Sequence, residues 1–332
     1  SCTNGIGRLC EVENDSVVVV NIYNILGQLV EETKTIESQN FVTQYSYDRQ
    51  GNILLQVNPD LSEVKYEYNI GGVIESVQSK ESTSGTFGFV INNIDYSPTG
   101  SEQKVVYANG TETINTYDSA QLYRLVGKRT YSITAGRGNY IQDLNYVYDA
   151  VGNIVNLTDG NYLGTGRSVL YEYDDLHRLV SASVLYNDSS EPTNYSYEYD
   201  AIGNIVYKSD SGVYYYEGSS GESYANPHAV TQIRGDGPAL NFEYDENGNA
   251  LTDGSAQYTW DYNNRISSIL LPEATNAIEY QYDTAGARVA VISDSATTLY
   301  PNKGYNTDGT LAQKHIFAGN GLSATIKGTG VN

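Results

Sequence analysis

The chain has 332 residues, 19 of them Lys or Arg and 40 of them Asp or Glu, which gives a formal net charge of −21 and a pI near 4.3. Such a surface repels phosphate backbones and anionic lipid headgroups, which argues against nucleic-acid binding and electrostatic membrane docking. No apolar run reaches about 18 residues, so the sequence predicts no membrane insertion.

The residue usage indicates a folded chain built from short strands. Tyrosine and glycine each occur 32 times, while charged residues make up only 18%. Acidic disordered chains are poor in aromatic residues, whereas tyrosine favours half-buried pleated surfaces, where the ring packs and the hydroxyl reaches water. Tyrosine together with glycine and asparagine therefore predicts many strands joined by tight turns.

Residues 1–15 form a linker-like start. They contain the two cysteines of the chain, Cys2 and Cys10, in the stretch SCTNGIGRLC. In an oxidising compartment we expect a disulfide between them, and two free thiols at a frayed end are the alternative. Because the sequence begins at Ser1 without Met, we expect a mature product or a piece of a longer chain.

A nine-residue motif then recurs at intervals of roughly 20 to 30 residues, the size of a hairpin. The motif is Y-x-Y-D-x-x-G-N-h, where h is apolar, and its positions are numbered 1 to 9 below. The clearest copies span residues 45–53, 146–154, 197–205 and 242–250. Looser copies span residues 21–29, 66–74, 94–102, 115–125, 171–179, 258–266 and 280–288.

Each position of the motif has a physical reason. Tyr-x-Tyr has the period of a strand, so both rings point to one face. The Asp or Asn at position 4 can cap the backbone two residues further on. Gly-Asn, as in Gly51-Asn52, tolerates positive φ, and the apolar residue at position 9 starts the returning strand. Each copy therefore predicts a strand, a tight turn and a second strand.

About a dozen such hairpins predict one all-β array over residues 1–332. One hairpin cannot bury its aromatic face alone, but neighbouring hairpins form a continuous sheet that must twist and curl. Long apolar stripes of helical period are missing, so helices should be few. The expected architecture is an array of β-hairpins in a curled, spiralling sheet that makes a partial or complete hollow shell.

The motif is the signature of RHS/YD-repeat proteins, and the chain resembles this family over nearly its whole length. Further motifs resemble linkers, late repeats and toxin-complex C subunits of the family, and residues 300–332 resemble the approach to its core region, which is itself absent. These motifs are NGIGRL (4–9), YANGTETINTYD (107–118), NPHAVTQI (226–233), WDYNNRI (260–266) and KHIFAGNGLSATI (314–326).

The resemblance implies a spiralling β-sheet shell, which in bacterial toxins encloses a C-terminal toxin domain and in teneurins supports cell adhesion. Some members cleave themselves at an Asp-Pro motif in the core, and this chain has no Asp-Pro pair. We therefore expect a structural, non-catalytic shell segment of a secreted or cell-surface protein. Its partner would be the rest of its own polypeptide, including a toxin domain beyond Asn332.

Repeated aspartates and three histidines are the candidates for chemistry. Aspartates such as Asp48 and Asp149 occupy position 4 of every clear copy, which favours turn capping over catalysis. His177, His228 and His315 follow no metal-binding or triad spacing, and His177 fills position 7, where other copies carry Gly. The sequence thus predicts no enzyme, no catalytic residue and no cofactor.

One segment, Asp245-x-Asn247-x-Asn249, resembles the opening of a calcium-binding loop. Ala250 and Ala256 stand where such a loop needs Gly and a closing Glu, so these residues favour another repeat turn. We predict no metal site on this segment or elsewhere in the chain.

Tyr214, Tyr215, Tyr216 and Tyr224 form a candidate aromatic surface for sugar rings, and the alternative is that they line the two faces of a sheet. Two other functions remain open. One is an extracellular carbohydrate-binding or adhesion module with glycans as partners. The other is a filament subunit in which open sheet edges pair with other copies of the chain.

Overall fold

A computed structural model describes residues 2–136, 140–161, 165–188, 190–216, 226–318 and 321–329. Across these residues the chain forms thirty β-strands and one short 3-10 helix, η1 (Ser119–Gln121). Neighbouring strands pair antiparallel, so each strand is one arm of a hairpin. The predicted all-β class, an array of β-hairpins, is confirmed.

The chain divides into two compact units. The first unit comprises Ser1–Tyr96, Val105–Asn109 and Asn276–Asn332, and the second comprises Ser97–Lys104 and Gly110–Thr275. Strand β9 (Glu102–Tyr107) contributes residues to both. The first unit is therefore discontinuous in sequence, because it combines the beginning and the end of the chain.

The first unit contains two series of antiparallel strands. The N-terminal series consists of β1 (Glu11–Glu13), β2 (Val17–Tyr23), β3 (Leu29–Ile36), β4 (Gln39–Tyr47), β5 (Ile53–Val57), β6 (Glu63–Tyr68), β7 (Ile74–Lys80) and β8 (Gly88–Tyr96). The C-terminal series consists of β25 (Ile278–Tyr282), β26 (Arg288–Ile292), β27 (Thr297–Asn302), β28 (Tyr305–Thr307), β29 (Leu311–Ala318) and β30 (Gly321–Thr329).

These two series pack face to face and make the core of the first unit. Their strands alternate between buried and exposed residues, as the pleat requires; in β29, for example, Ala312 and Ile316 are buried. One buried cluster joins Val17, Val19, Ile36 and Phe41 to Val289, Ala290 and Leu299. A second joins Val64, Val77, Ile91, Ile94 and Val105 to Ile316 and Ala318.

The second unit is a succession of hairpins with a smaller core. Among its described residues, the buried apolar cluster comprises Val169, Ala182 and Val184. Its strands are β10 (Thr111–Asp118), β11 (Arg124–Ser132), β12 (Tyr140–Tyr148), β13 (Ile154–Asp159), β14 (Arg167–Tyr173), β15 (Leu179–Tyr186), β16 (Thr193–Tyr199), β17 (Ile205–Lys208), β18 (Gly212–Tyr215), β19 (Gln232–Arg234), β20 (Leu240–Asn241), β21 (Glu243–Tyr244), β22 (Ala250–Thr252), β23 (Gln257–Trp260) and β24 (Ile266–Leu270).

Turns between the strands follow one design. In the copy at 197–205, the amide of Asp200 donates to the carbonyl oxygen of Asn204 at 2.9 Å, and the amide of Gly203 donates back to the carbonyl oxygen of Asp200 at 3.2 Å. Gly203, at position 7, has φ +96°, where a side chain is strained. His177 occupies the same position in its copy and has φ 61°. The turn therefore needs positive φ at position 7 even where the residue is not glycine.

The Gly203→Ala substitution tests this requirement. No other atom lies within 4 Å of a Cβ built on Gly203, so the cost comes from the backbone alone. We expect the free energy of unfolding, measured with guanidinium chloride, to fall by about 1 kcal/mol, and by less for Gly203→Asn. Gly88, an exposed strand residue with equal space, is the matched control. A Gly203→Ala variant as stable as Gly88→Ala would contradict the interpretation.

Candidate functional site: the contacts that join repeats and layers

The aromatic residue at position 3 connects a hairpin to the preceding one in at least eleven places among the described residues. The Tyr173 hydroxyl donates to the carbonyl oxygen of Ile154, position 9 of the preceding copy, at 2.8 Å. Trp260 makes the same contact through its indole Nε1, which donates to the carbonyl oxygen of Ala250 at 2.7 Å. Other pairs of this kind are Tyr23 with Leu9, Tyr47 with Leu29, Tyr68 with Ile53, Tyr96 with Ile74, Tyr117 with Glu102, Tyr148 with Leu125, Tyr199 with Leu179, Tyr216 with Ile205 and Tyr244 with Val230.

A β-bulge explains why the contact forms at this place. In the hairpin of β14 and β15, Tyr173 pairs with Leu179 and Glu172 pairs with Ser181, so the register shifts by one residue. The same shift occurs next to position 3 in the hairpins of β4 with β5 and of β12 with β13. A bulge interrupts the ladder of backbone hydrogen bonds. The aromatic donor of the next repeat supplies a hydrogen bond beside this interruption, where the carbonyl would otherwise need water.

The carboxylate at position 4 organises the turn. Asp48 accepts from the backbone amides of Gln50 at 2.8 Å and Asn52 at 2.9 Å, and from the Asn52 side chain at 2.8 Å. The hydrogen bond from the Asn52 side chain is the main cause that lowers the pKa of Asp48. The carboxylate therefore caps the backbone amides two and four residues further on. The sequence analysis predicted the contact two residues further on but not the one four residues further on.

Arginine at position 8 adds a contact between repeats. Arg178 donates from Nε to Asp174 at 2.6 Å, and its guanidinium carbon lies 4.6 Å from the ring centroid of Tyr199 in the next repeat. Arg124 lies over Tyr148 in the same way at 5.6 Å. These cation–π contacts cover the position-3 rings whose hydroxyls make the hydrogen bonds. Arg178 thus links the turn carboxylate of its own repeat to the position-3 ring of the next repeat, whose hydroxyl donates to a carbonyl oxygen of the first.

Buried lysines join the two series of strands in the first unit. Lys314 Nζ lies 2.9 Å from Asp60 Oδ2 and 2.6 Å from Glu81 Oε2, and the side chains of Lys314 and Asp60 are only 5% and 4% exposed. Burial alone would lower the pKa of Lys314, but the hydrogen bonds to Glu81 and Asp60 outweigh burial and leave the pKa raised. This ion pair connects β29 of the C-terminal series with the turn after β5 and the residue that follows β7 of the N-terminal series.

A second buried lysine makes an equivalent connection in the same unit. Lys34 Nζ lies 3.0 Å from Asp283 Oδ2, and Glu32 lies at the edge of the pair, 4.0 Å from Lys34. Burial raises the pKa of Glu32, which Lys34 partly offsets. Asp283 occupies position 4 of its repeat, so this one turn carboxylate also binds the opposite series of strands.

The two cysteines are joined. Sγ of Cys2 and Sγ of Cys10 lie 1.96 Å apart in a disulfide that closes the stretch containing NGIGRL. The carbonyl oxygen of Leu9, the last residue of that stretch, accepts from the Tyr23 hydroxyl at 2.8 Å. The linker-like start therefore ends in the same contact as a complete repeat, and the disulfide fixes its loop.

The candidate aromatic surface is partly explained by the repeat. The Tyr216 hydroxyl donates to the carbonyl oxygen of Ile205 at 2.8 Å, so Tyr216 is the position-3 residue of a diverged copy. The ring of Tyr215 lies 5.2 Å from the guanidinium of Arg234, and Tyr214 pairs with Ile233 in the sheet. Tyr224 lies outside the described residues. Sugar binding by these four tyrosines remains a prediction.

The three histidines lie apart and bind neighbouring polar groups. His177 Nδ1 lies 3.2 Å from Asn153 Nδ2, and His228 Nδ1 lies 2.7 Å from Asn204 Oδ1. His315 Nε2 lies 2.6 Å from the side-chain oxygen of Asn306, and burial lowers its pKa, which favours the neutral ring. His315 Nδ1 lies 3.1 Å from the hydroxyl oxygen of Thr325 on the adjacent strand, so both ring nitrogens of His315 have polar partners.

The calcium-like segment folds as a repeat turn. Asp245 accepts from the backbone amides of Asn247 at 3.0 Å and Asn249 at 2.8 Å, and from the Asn249 side chain at 2.8 Å. Within the described ranges, no group of three or more His, Cys, Asp or Glu residues is arranged to hold a metal ion. No helix among the described residues has the length and apolar character needed to cross a membrane.

Sequence reasoning missed the carbonyl partners of the position-3 side chains and three further features. Tyr216 was hidden because an insertion separates it from the NPHAV segment that completes its repeat. Lys34 and Lys314 are isolated lysines in strands, and their partners Asp283 and Asp60 are about 250 residues away. No local pattern marks such pairs. A signal did exist in Lys314, which breaks an otherwise apolar set of inward positions in β29.

Fold and contacts together define an all-β array of YD-repeat hairpins. Two curated relatives share part of it: toxin subunits YenC2 and YenC1 of Yersinia entomophaga are 27% identical over 201 residues and 28% identical over 194 residues. The matches cover 52% and 50% of this chain but only 20% of each relative. No family model matches the chain.

Solved structures also share the fold of this chain. A TcdB2-TccC3 crystal structure has a TM-score of 0.69 at 15% identity, covering 93% of this chain and 18% of that one. The Photorhabdus luminescens Tc holotoxin pore with a TccC3 mutation has a TM-score of 0.65 at 15% identity, covering 98% and 18%. The predicted resemblance to the repeat region of toxin-complex proteins is confirmed. The chain spans about a fifth of the length of these relatives.

The Tyr173→Phe substitution removes one connection between repeats while it keeps the ring. We expect the free energy of unfolding to fall by about 1 kcal/mol, because the carbonyl of Ile154 loses its donor in a half-buried site. Tyr262→Phe is the control, since its side chain is 89% exposed and should change little. Equal stability of the two variants in urea unfolding would argue against a stabilising role for the contact.

The Lys314→Met substitution leaves Asp60 buried without its cation. We expect a loss of about 3 kcal/mol of unfolding free energy, because an uncompensated buried charge is costly. The double variant Lys314→Met with Asp60→Asn should recover part of that loss. Lys327→Met, an exposed lysine on the adjacent strand, is the control and should lie close to wild type. If both lysine variants lost the same small amount, the buried pair would not be stabilising.

Stability should fall at alkaline pH. Burial raises the pKa of Tyr66 and Tyr305 to about 12, and it also raises the pKa of Tyr45. The pKa is about 10 in an unfolded chain, so stability is fully present below that pH and is lost as pH rises through the folded values. Unfolding midpoints in urea, measured from neutral to strongly alkaline pH, should decline only beyond about pH 10. A midpoint that stays constant up to about pH 12 would contradict this.

Proposed function

We propose that the chain is a non-catalytic wall segment of a secreted RHS/YD-repeat shell that forms part of a toxin. The observation that carries the proposal is the aromatic-to-carbonyl connection, which recurs from repeat to repeat in both units. Repetition of one structural contact is typical of a scaffold, whereas a catalytic site is built once. The sequence relatives, which are toxin subunits, support the toxin association.

The mechanism of such a wall is containment. Backbone amides and carbonyls of paired strands form hydrogen bonds with each other. Aromatic side chains donate hydrogen bonds to carbonyls next to the bulges, and position-4 carboxylates cap the turns. A protease needs several residues of extended, unpaired chain, and the described residues leave few such segments. The finer proposal is that the wall encloses a C-terminal domain of the same polypeptide, with residues 300–332 leading toward the core region and residues 1–332 forming one array.

The disulfide supports a location outside the cytosol. A short loop closed by Cys2 and Cys10 persists in an oxidising compartment and is reduced in most cytosols. The disulfide in the linker-like start therefore supports secretion or surface display of the protein. The adhesion module and the filament subunit remain predictions.

Accessibility of an inserted protease site tests containment in the full-length polypeptide. One version carries a short recognition sequence after the array, and a matched version carries the same sequence before Cys2. We expect the downstream site to be cut at least about tenfold more slowly than the upstream site while the protein is folded, since enclosed chain must first open. Both sites should be cut equally after unfolding. Equal rates in the folded protein would overturn the proposal, as would a specific catalytic activity of the isolated chain.

A further inference from the structure

A cavity of about 450 Å³ lies in the first unit, beside the hairpin that joins β27 to β28. Its volume falls in the range of sites for small molecules. Basic and aromatic side chains dominate its lining, which is unusual in a chain of net charge −21. The lining residues used below are Arg288, Lys303, His315, Tyr300 and Lys34.

Two of the cations have no carboxylate partner among the described residues. The guanidinium of Arg288 lies 4.7 Å from the ring centroid of Tyr300, and Lys303 Nζ lies 4.1 Å from that of Phe317. Lys34, by contrast, is compensated by Asp283 at 3.0 Å. Arg288 also stands at position 9 of its repeat, where the clear copies carry Ile or Ala. Aromatic rings thus position the side chains of Arg288 and Lys303, and their positive charges can pair with an anionic ligand.

The surroundings restrict the kind of anion. A net charge of −21 repels a polyanion, while two cations that line one cavity can hold a single small anionic group. The planar guanidinium of Arg288 matches a carboxylate through two parallel hydrogen bonds. Small monoanions with one carboxylate are therefore favoured over nucleic acids and sulfated polymers.

A neighbouring cavity of about 340 Å³ extends the site with polar groups and one carboxylate. It shares Tyr300 and His315 with the first cavity and adds Thr298, Gln313 and Asp308, whose carboxylate can accept hydrogen bonds from ligand hydroxyls. The Tyr300 hydroxyl has no protein partner in the described ranges, so it can donate to or accept from a ligand hydroxyl. A charged cavity beside a polar one suits a ligand with a carboxylate at one end and several hydroxyl groups at the other.

We propose that these two cavities bind a carboxylated sugar. The carboxylate would lie on Arg288 and Lys303, and the sugar hydroxyls would face Tyr300, Thr298 and Gln313. This inference is independent of the proposed wall function, because a wall needs no ligand. It places carbohydrate contact in the C-terminal strands rather than on the tyrosine cluster at 214–216.

Calorimetric titration of the purified chain with glucuronate tests the proposal, with glucose and acetate as the neutral sugar and the simple carboxylate. We expect saturable binding of glucuronate, weaker binding of acetate and none of glucose. Arg288→Gln should weaken glucuronate binding by about tenfold or more, the loss expected for one charge-assisted pair. Arg49→Gln, which removes an exposed arginine of the same unit, should leave it unchanged.

A second variant, Lys303→Gln, changes an exposed side chain and keeps the test decisive if Arg288→Gln fails to fold. Thermal unfolding of each variant separates loss of the site from loss of the fold. Glucuronate that does not bind, that binds the Arg288→Gln and Arg49→Gln variants equally, or that binds no better than acetate would overturn the proposal. Failure here would leave the protease result, and hence the wall function, untouched.

Discussion

A hydrogen bond from an aromatic side chain to a backbone carbonyl is the interaction on which the array depends. A two-stranded hairpin is marginally stable by itself, and a bulge weakens its ladder further. The position-3 donor compensates at that point and links the hairpin to its neighbour, as Tyr148 does with Leu125. Each bond of this kind contributes roughly 1 kcal/mol.

Local rules explain why so much of the fold could be predicted. Strand period, a capping carboxylate and a residue of positive φ all lie within nine residues, and each acts on its immediate neighbours. Predictable features therefore include the hairpins, the turn role of Asp245 and the position of His177. The partner of each tyrosine hydroxyl was not predictable, because the motif fixes where the ring points but not which carbonyl it reaches.

Long-range pairs mark the limit of sequence reasoning. Lys314 with Asp60 and Lys34 with Asp283 join strands from opposite ends of the chain, and no periodic pattern connects them. The same is true of the cavity beside Arg288, whose lining comes from several strands. These features separate the first unit, with two packed layers and charged contacts between them, from the second, whose described residues form a smaller buried apolar cluster and aromatic contacts between successive hairpins.

Hydrogen–deuterium exchange of the Tyr148→Phe variant tests the central claim most directly. If the hydroxyl joins neighbouring hairpins, backbone amides in β11 to β13 should exchange faster, while those in β2 to β4 should match wild type. Such a local change would show that the array is held together one repeat at a time. Unchanged exchange around Tyr148, or a uniform increase along the whole chain, would contradict the account.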